Sequence, residues 1–161
     1  MAEINLFRLL DQERLQQIPW TISTGTLGIE EFKAFKVASI PYTPCAMNAY
    51  CINWNNPEDV PILVWMTISR ITVGAAGGAT MDLGTSATAS ANSNNLMTVL
   101  DINATGLTNN RDDVGASGIA VQAMDANGGT TAWITGQVET AAATTLVGML
   151  YILYTTLDYS D

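Results

Sequence analysis

The chain contains no histidine. That removes imidazole acid–base catalysis, most zinc sites, and the Ser-His and Cys-His nucleophile arrangements. Charge is also scarce: charged residues make up 13% of the chain, about half the usual ~25%. Basic residues are rarest, six against 15 acidic ones, for a net charge of −9. So few cations disfavour binding to nucleic acid through its phosphates. Cysteine occurs twice, at Cys45 and Cys51, with no Cys-x-x-Cys motif. The pair reads as two small buried side chains in preference to a disulfide. No basic N-terminal region precedes an apolar run, so no signal peptide is expected. The longest apolar stretch has about 12 residues, short of the ~20 that a membrane-spanning helix needs. No membrane association and no cofactor are expected.

What fills the place of charge is Ala, Thr, Gly, Ser and Asn, and apolar residues reach 48%. Such a surface is uncharged without being greasy, and suits extended contact with other protein. The length fits one core-forming domain plus an appendage. The charge is uneven. Up to position 36 there are four basic and five acidic residues, a net of −1; beyond it there are two and ten, a net of −8.

The most informative stretch is Leu146 to Leu157, Leu-Val-Gly-Met-Leu-Tyr-Ile-Leu-Tyr-Thr-Thr-Leu. Alternate positions give two apolar faces, so neither is built for water. It reads as the central strand of a β-sandwich, with the core on one side and more protein on the other.

From the N-terminus, residues 5–18 place Phe7, Leu10, Leu15 and Ile18 at roughly helical spacing, with Arg8, Asp11, Gln12 and Gln16 opposite. Asn5 can cap this helix, and Pro19 ends it. A lone helix of this length needs a surface to lie on. Two surfaces stay open: its own domain, or a neighbouring subunit on which it docks as an arm. Residues 19–45 carry three prolines and little periodicity, and suggest an extended strap. Phe32 to Val37 could form a short strand within it. The division is therefore an arm over 1–44 and a sandwich body over 45–161.

Within the body, strands are expected at Met47–Asn55, Ile62–Val73, Ala79–Leu83 and Ile119–Met124, with Leu96–Ile102 a strand or a helical turn. Ile68 falls on the face opposite Ile71 and Val73, so a bulge is expected near Ser69–Arg70. Asp125-Ala-Asn-Gly-Gly129 predicts a hairpin turn, with Thr130–Thr135 as the partner strand. Thr85–Asn95 is a Thr/Ser/Ala/Asn loop, either mobile or draped over something, and Thr105–Gly118 is a second polar loop. The fold class expected is mainly β: an antiparallel sandwich, jelly-roll-like, preceded by an N-terminal arm with a short helix.

Chemistry is hard to find. Asp112, Asp113 and Asp125 lack the order of a calcium loop and read as turn formers. Glu58-Asp59 reads as a solvated turn. Trp20, Trp54, Trp65 and Trp133 could offer sugar-stacking platforms, but Trp65 lies in a strand that reads as buried. Gly74-Ala-Ala-Gly-Gly78 lacks the lysine and the helix of a phosphate-binding loop. Asn103-Ala-Thr105 matches a glycosylation acceptor with nothing to support secretion. No metal site and no enzymatic activity are expected.

Two stretches carry a resemblance. One runs from Ile68-Ser-Arg-Ile-Thr-Val-Gly-Ala-Ala-Gly-Gly-Ala-Thr-Met-Asp-Leu-Gly-Thr85 through the Asn-Leu of Asn95-Leu96 to Leu100-Asp-Ile-Asn103. The other is Leu146-Val-Gly-Met-Leu-Tyr-Ile-Leu-Tyr154. Together with the opening from Phe7 to Pro19, they resemble small virion proteins of tailed bacteriophages, of the capsid decoration or head-fibre kind. The resemblance implies a β-sandwich on the outer surface of an icosahedral head, made in the bacterial cytoplasm, commonly a homotrimer whose arms reach neighbouring subunits or the major capsid protein. Phe7, Leu10, Leu15, Ile18 and Trp20 would be the contact anchors. A tail-tube or head–tail connector protein is a second expectation, and a glycan-binding module using Trp20 or Trp133 a third.

Overall fold

The computed structural model describes residues 35–111 and 121–157. They form nine strands: β1 (Lys36–Pro41), β2 (Tyr50–Asn55), β3 (Ile62–Val73), β4 (Thr80–Ser86), β5 (Met97–Asp101), β6 (Gly106–Asn109), β7 (Gln122–Met124), β8 (Trp133–Val138) and β9 (Val147–Thr156). No helix occurs among the described residues. The helix expected over 5–18, and with it Phe7, Leu10, Leu15, Ile18 and Trp20, lies outside them, as do Asp112 and Asp113.

The strands make two antiparallel sheets. One has the order β1-β9-β3-β6, with β7 also pairing with β3; the other has the order β2-β8-β4-β5. They pack as a sandwich, because each strand offers one set of alternate side chains to a common interior. That interior holds Ile52, Ile62, Met81, Leu83, Leu100, Ile134, Leu150 and Ile152, all essentially inaccessible to solvent. β1, whose residues read as strap, is an edge strand of the larger sheet, paired with β9 from Lys36–Tyr154 to Pro41–Met149.

β9 is an interior strand, with β1 on one side and β3 on the other. Its two apolar faces have different fates. Leu150, Ile152 and Tyr154 point into the core. Met149, Tyr151 and Leu153 point away from it and are half-buried.

Three expectations about local structure fail. No register shift occurs at Ser69–Arg70; β3 shifts against β9 at Val64/Met66 and again at Ile71/Val73. The first bulge carries Trp65 onto the outward side, where its indole Nε1–H donates to Thr155 Oγ1 at 3.0 Å. Ile68 needs no repair, because it faces outward opposite Tyr151. The expected hairpin around Asp125–Gly129 is also absent: β7 pairs with β3, whereas β8 pairs with β2 and β4 in the other sheet. The turn chemistry is real, with Gly128 at φ 84° and Asp125 Oδ2 accepting from the Thr131 N–H at 2.8 Å, but the chain uses it to cross between sheets. Finally, the loop expected over 105–118 contains β6, a four-residue edge strand on β3.

Polar groups are placed to serve the frame. Asn56, fully buried, donates through Nδ2 to the Val60 and Asp125 carbonyls (3.1 and 2.8 Å) and accepts from the Glu58 N–H at 3.0 Å. Tyr42 donates its hydroxyl to Ser69 Oγ at 2.7 Å. Lys36 Nζ and Tyr154 OH both donate to Glu58 Oε1, at 2.7 and 3.0 Å. The Lys36 bond holds the Glu58 carboxyl below its usual range. Both cysteines are free thiols, Cys45 half-buried and Cys51 buried. Burial pushes the Cys51 thiol well up, and its contact with Cys45 adds to this.

Burial likewise pushes Tyr42 and Tyr154 from 10.0 up to about 12, with the Glu58 carboxylate adding to the rise at Tyr154. The raised value favours the folded, protonated form. Its contribution is complete below pH 10.0 and is lost as pH climbs through about 12. We therefore expect alkaline unfolding in that window, with tyrosinate absorbance and loss of β circular dichroism rising together. Ionisation of Tyr42 and Tyr154 themselves near 10.0 with the fold intact, read as the absorbance change lost in Y42F and Y154F, would contradict this placement.

Candidate functional site

The outer faces of the two sheets differ, and the difference locates the candidate site. The outer side of the smaller sheet is polar and already covered. Gly84 has no side chain there, and a Cβ at that position would meet Ser93 Oγ at 2.5 Å. The loop that follows β4 lies against this gap. Tyr50 OH donates to the Ser90 carbonyl at 2.7 Å, and Thr135 Oγ1 to the Ala91 carbonyl at 2.8 Å. Asn95 closes the loop, accepting from the Thr85 N–H and donating to Thr85 Oγ1, both at 2.8 Å. The small-polar stretch 85–95 is thus a cover that hydrogen-bonds its own sheet.

The outer side of the larger sheet is apolar. Strand register sets its side chains in rows across β1, β9, β3 and the β6/β7 edge. Val37, Leu153 and Met66 form one row; Ser39, Tyr151, Ile68 and Asn109 the next; Pro41, Met149, Arg70 and Leu107 a third. Val147 lies opposite Val73 at one end, and Thr155 opposite Leu63 at the other. At that second end the Phe35 ring meets the Trp65 ring edge-on, with centroids 6.0 Å apart.

Five of the seven large apolar side chains most exposed among the described residues lie on this side: Phe35, Val37, Val73, Leu107 and Val147. Val37, on β1, is 63% exposed, and Leu107, on β6, 67%. All nine strands belong to the two sheets, so the described residues supply no third layer over it. Arg70 is the one charged side chain in the rows. A contiguous apolar surface of this kind marks an interaction site.

The residues that could have carried chemistry are spread elsewhere. Asp125 caps its own turn. Trp54 leans on Tyr154, with ring centroids 5.7 Å apart, and Trp133 is half-buried in β8. The Asn103 side chain is engaged: its Oδ1 accepts from the Ala79 N–H at 2.6 Å, and its Nδ2 donates to the Ala79 carbonyl at 3.0 Å. Among the described residues, no three of Cys, Asp and Glu gather as metal ligands. The sequence signal for the site was the double apolar face of β9. The parts supplied by β1 and β6 carried no comparable signal, because each is a short edge strand whose outward apolar side chains are few, Val37 and Pro41 from β1 and Leu107 from β6. Comparison with protein-family models, with curated proteins and with solved structures returns no match for this chain.

Proposed function

We propose that this protein is a virion structural protein that decorates the exterior of an icosahedral phage capsid and stabilises it by binding across adjacent capsomers. The observation that carries the reading is the nearly uncharged apolar outer face of the larger sheet. The strand order adds support. The chain passes repeatedly between the sheets, only β4–β5 and β6–β7 being successive strands of one sheet, and the orders β1-β9-β3-β6 and β2-β8-β4-β5 are those of a jelly roll. The sequence resemblance to capsid decoration and head-fibre proteins points the same way.

The mechanism is mass action. A subunit that binds only the expanded shell lowers the free energy of that state. Contacts to more than one capsomer then multiply the effect through effective concentration. No catalytic step is involved. The partners are the major capsid protein and further copies of this chain, as a homotrimer, on the outer surface of the virion. Phe7, Leu10, Leu15, Ile18 and Trp20 are the proposed anchors on the shell.

Deleting residues 1–20 is expected to leave a folded body with unchanged β circular dichroism. Its occupancy on purified expanded shells should fall at least tenfold in a co-sedimentation assay. Full occupancy after the deletion would overturn the role given to the arm. No attachment of the full-length protein to any shell would overturn the decoration reading itself.

A further inference from the structure

We infer that the outer face of the larger sheet is the surface through which copies of this chain associate with one another. This deepens the proposed function by naming the surface of self-association, and it rests on that part of it. The argument starts from dimensions. β3 and β9 run 12 and 10 residues, so the face is about 35–40 Å long. It is four strands wide, about 15–20 Å with side chains. The resulting area, on the order of 600 Å², approaches the ~800 Å² per partner of a stable protein interface.

Two of the most exposed apolar residues lie at opposite rims, Val37 on β1 and Leu107 on β6, three strand spacings across and four residues along the strands, so about 20 Å apart. The extent of the face decides between occupants. Residues 5–18, taken as a helix, would be about 21 Å long and ~10 Å across. Laid on the face, even diagonally from rim to rim, such a segment covers about a third of it and leaves the rest in water. A second copy brings a surface of matching extent. Charge agrees. The chain carries −9, yet no carboxylate stands in the rows of this face. Copies can therefore meet here without setting acid against acid. The net repulsion between like-charged copies is long-range and is screened by salt.

The test is sedimentation velocity on the full chain, without shells. The wild type is expected to sediment as an assembly of several chains, and to hold that mass in high salt. The double variant V37E/L107E should sediment as one chain, with unchanged circular dichroism and thermal melting, since both side chains are largely in water in the single subunit. Should the double variant lose its β spectrum, V37K and L107K are read singly, each expected to weaken association at least tenfold. Deleting residues 1–20 should leave the assembly intact. A wild type that sediments as one chain up to its highest soluble concentration overturns the inference. So does a folded V37E/L107E that keeps the assembly mass, or an assembly lost on deleting 1–20. A single-chain protein that still coats shells would sink this inference alone; an assembly through this face that never binds shells would sink only the decoration reading.

Discussion

Gly74→Ala is expected to lower the unfolding free energy by about 3 kcal/mol or more, a large part of the ~5–15 kcal/mol a domain of this size holds. The reason is backbone against backbone. Gly74 follows β3, where the chain leaves the larger sheet for β4, and it passes directly over the segment that joins β5 to β6. A Cβ there would overlap the Asn103 carbonyl. Neither side can yield cheaply. The Ala75 N–H donates to the Ile102 carbonyl at 2.8 Å, and Thr145 Oγ1 donates to the Gly74 carbonyl at 3.0 Å. Asn103 is held by Ala79 through its side chain, and its own N–H donates to Asp101 Oδ1 at 2.8 Å. Gly106→Ala is the matched control. Its Cβ would meet nothing within 4 Å, so it should stay within about 1 kcal/mol of the parent. Urea denaturation of the two variants makes the comparison. Equal midpoints would mean that the 74–75 and 102–103 segments are not locked together.

That crossing also shows what the sequence could and could not reveal. The bounds of β3 were legible to the residue, and those of β9 to within one, because interior strands need long apolar runs on both faces. β6 was not, since Gly-Leu-Thr-Asn offers one apolar side chain and is a strand only because β3 presents an unpaired edge. The mistaken hairpin has a related cause. Asp-Ala-Asn-Gly-Gly specifies a reversal of direction, and it reads the same whether the chain returns to its own sheet or crosses to the other. Bulge placement failed because the wish to bury Ile68 was itself mistaken: the outer face is apolar, and Ile68 belongs to it. The candidate site was half legible. The double apolar character of residues 146–157 announced a second buried surface, but the rims at Val37 and Leu107 arise only when β1 and β6 are laid beside β9 and β3.

Leu150→Ala and Leu153→Ala are expected to separate folding from association. The two side chains are three residues apart on β9 and chemically identical, but they face opposite ways. Leu150 is fully buried between the sheets, so truncation opens a cavity and should cost about 2–5 kcal/mol of stability. Leu153 is half-buried among Val37 and Met66 on the outer face. In the isolated subunit its truncation removes contacts that water partly replaces, and about 1 kcal/mol is the expected loss. The order should reverse for assembly. Leu153→Ala should weaken association of copies several-fold at full stability, whereas Leu150→Ala, refolded at low temperature, should associate as the parent does. Urea midpoints at concentrations where the chain is single, set beside sedimentation at high concentration, give both readings. If Leu153→Ala proves as destabilising as Leu150→Ala in the single chain, the outer face is a second core roofed by the chain itself, and the surface assigned here to other copies is already taken.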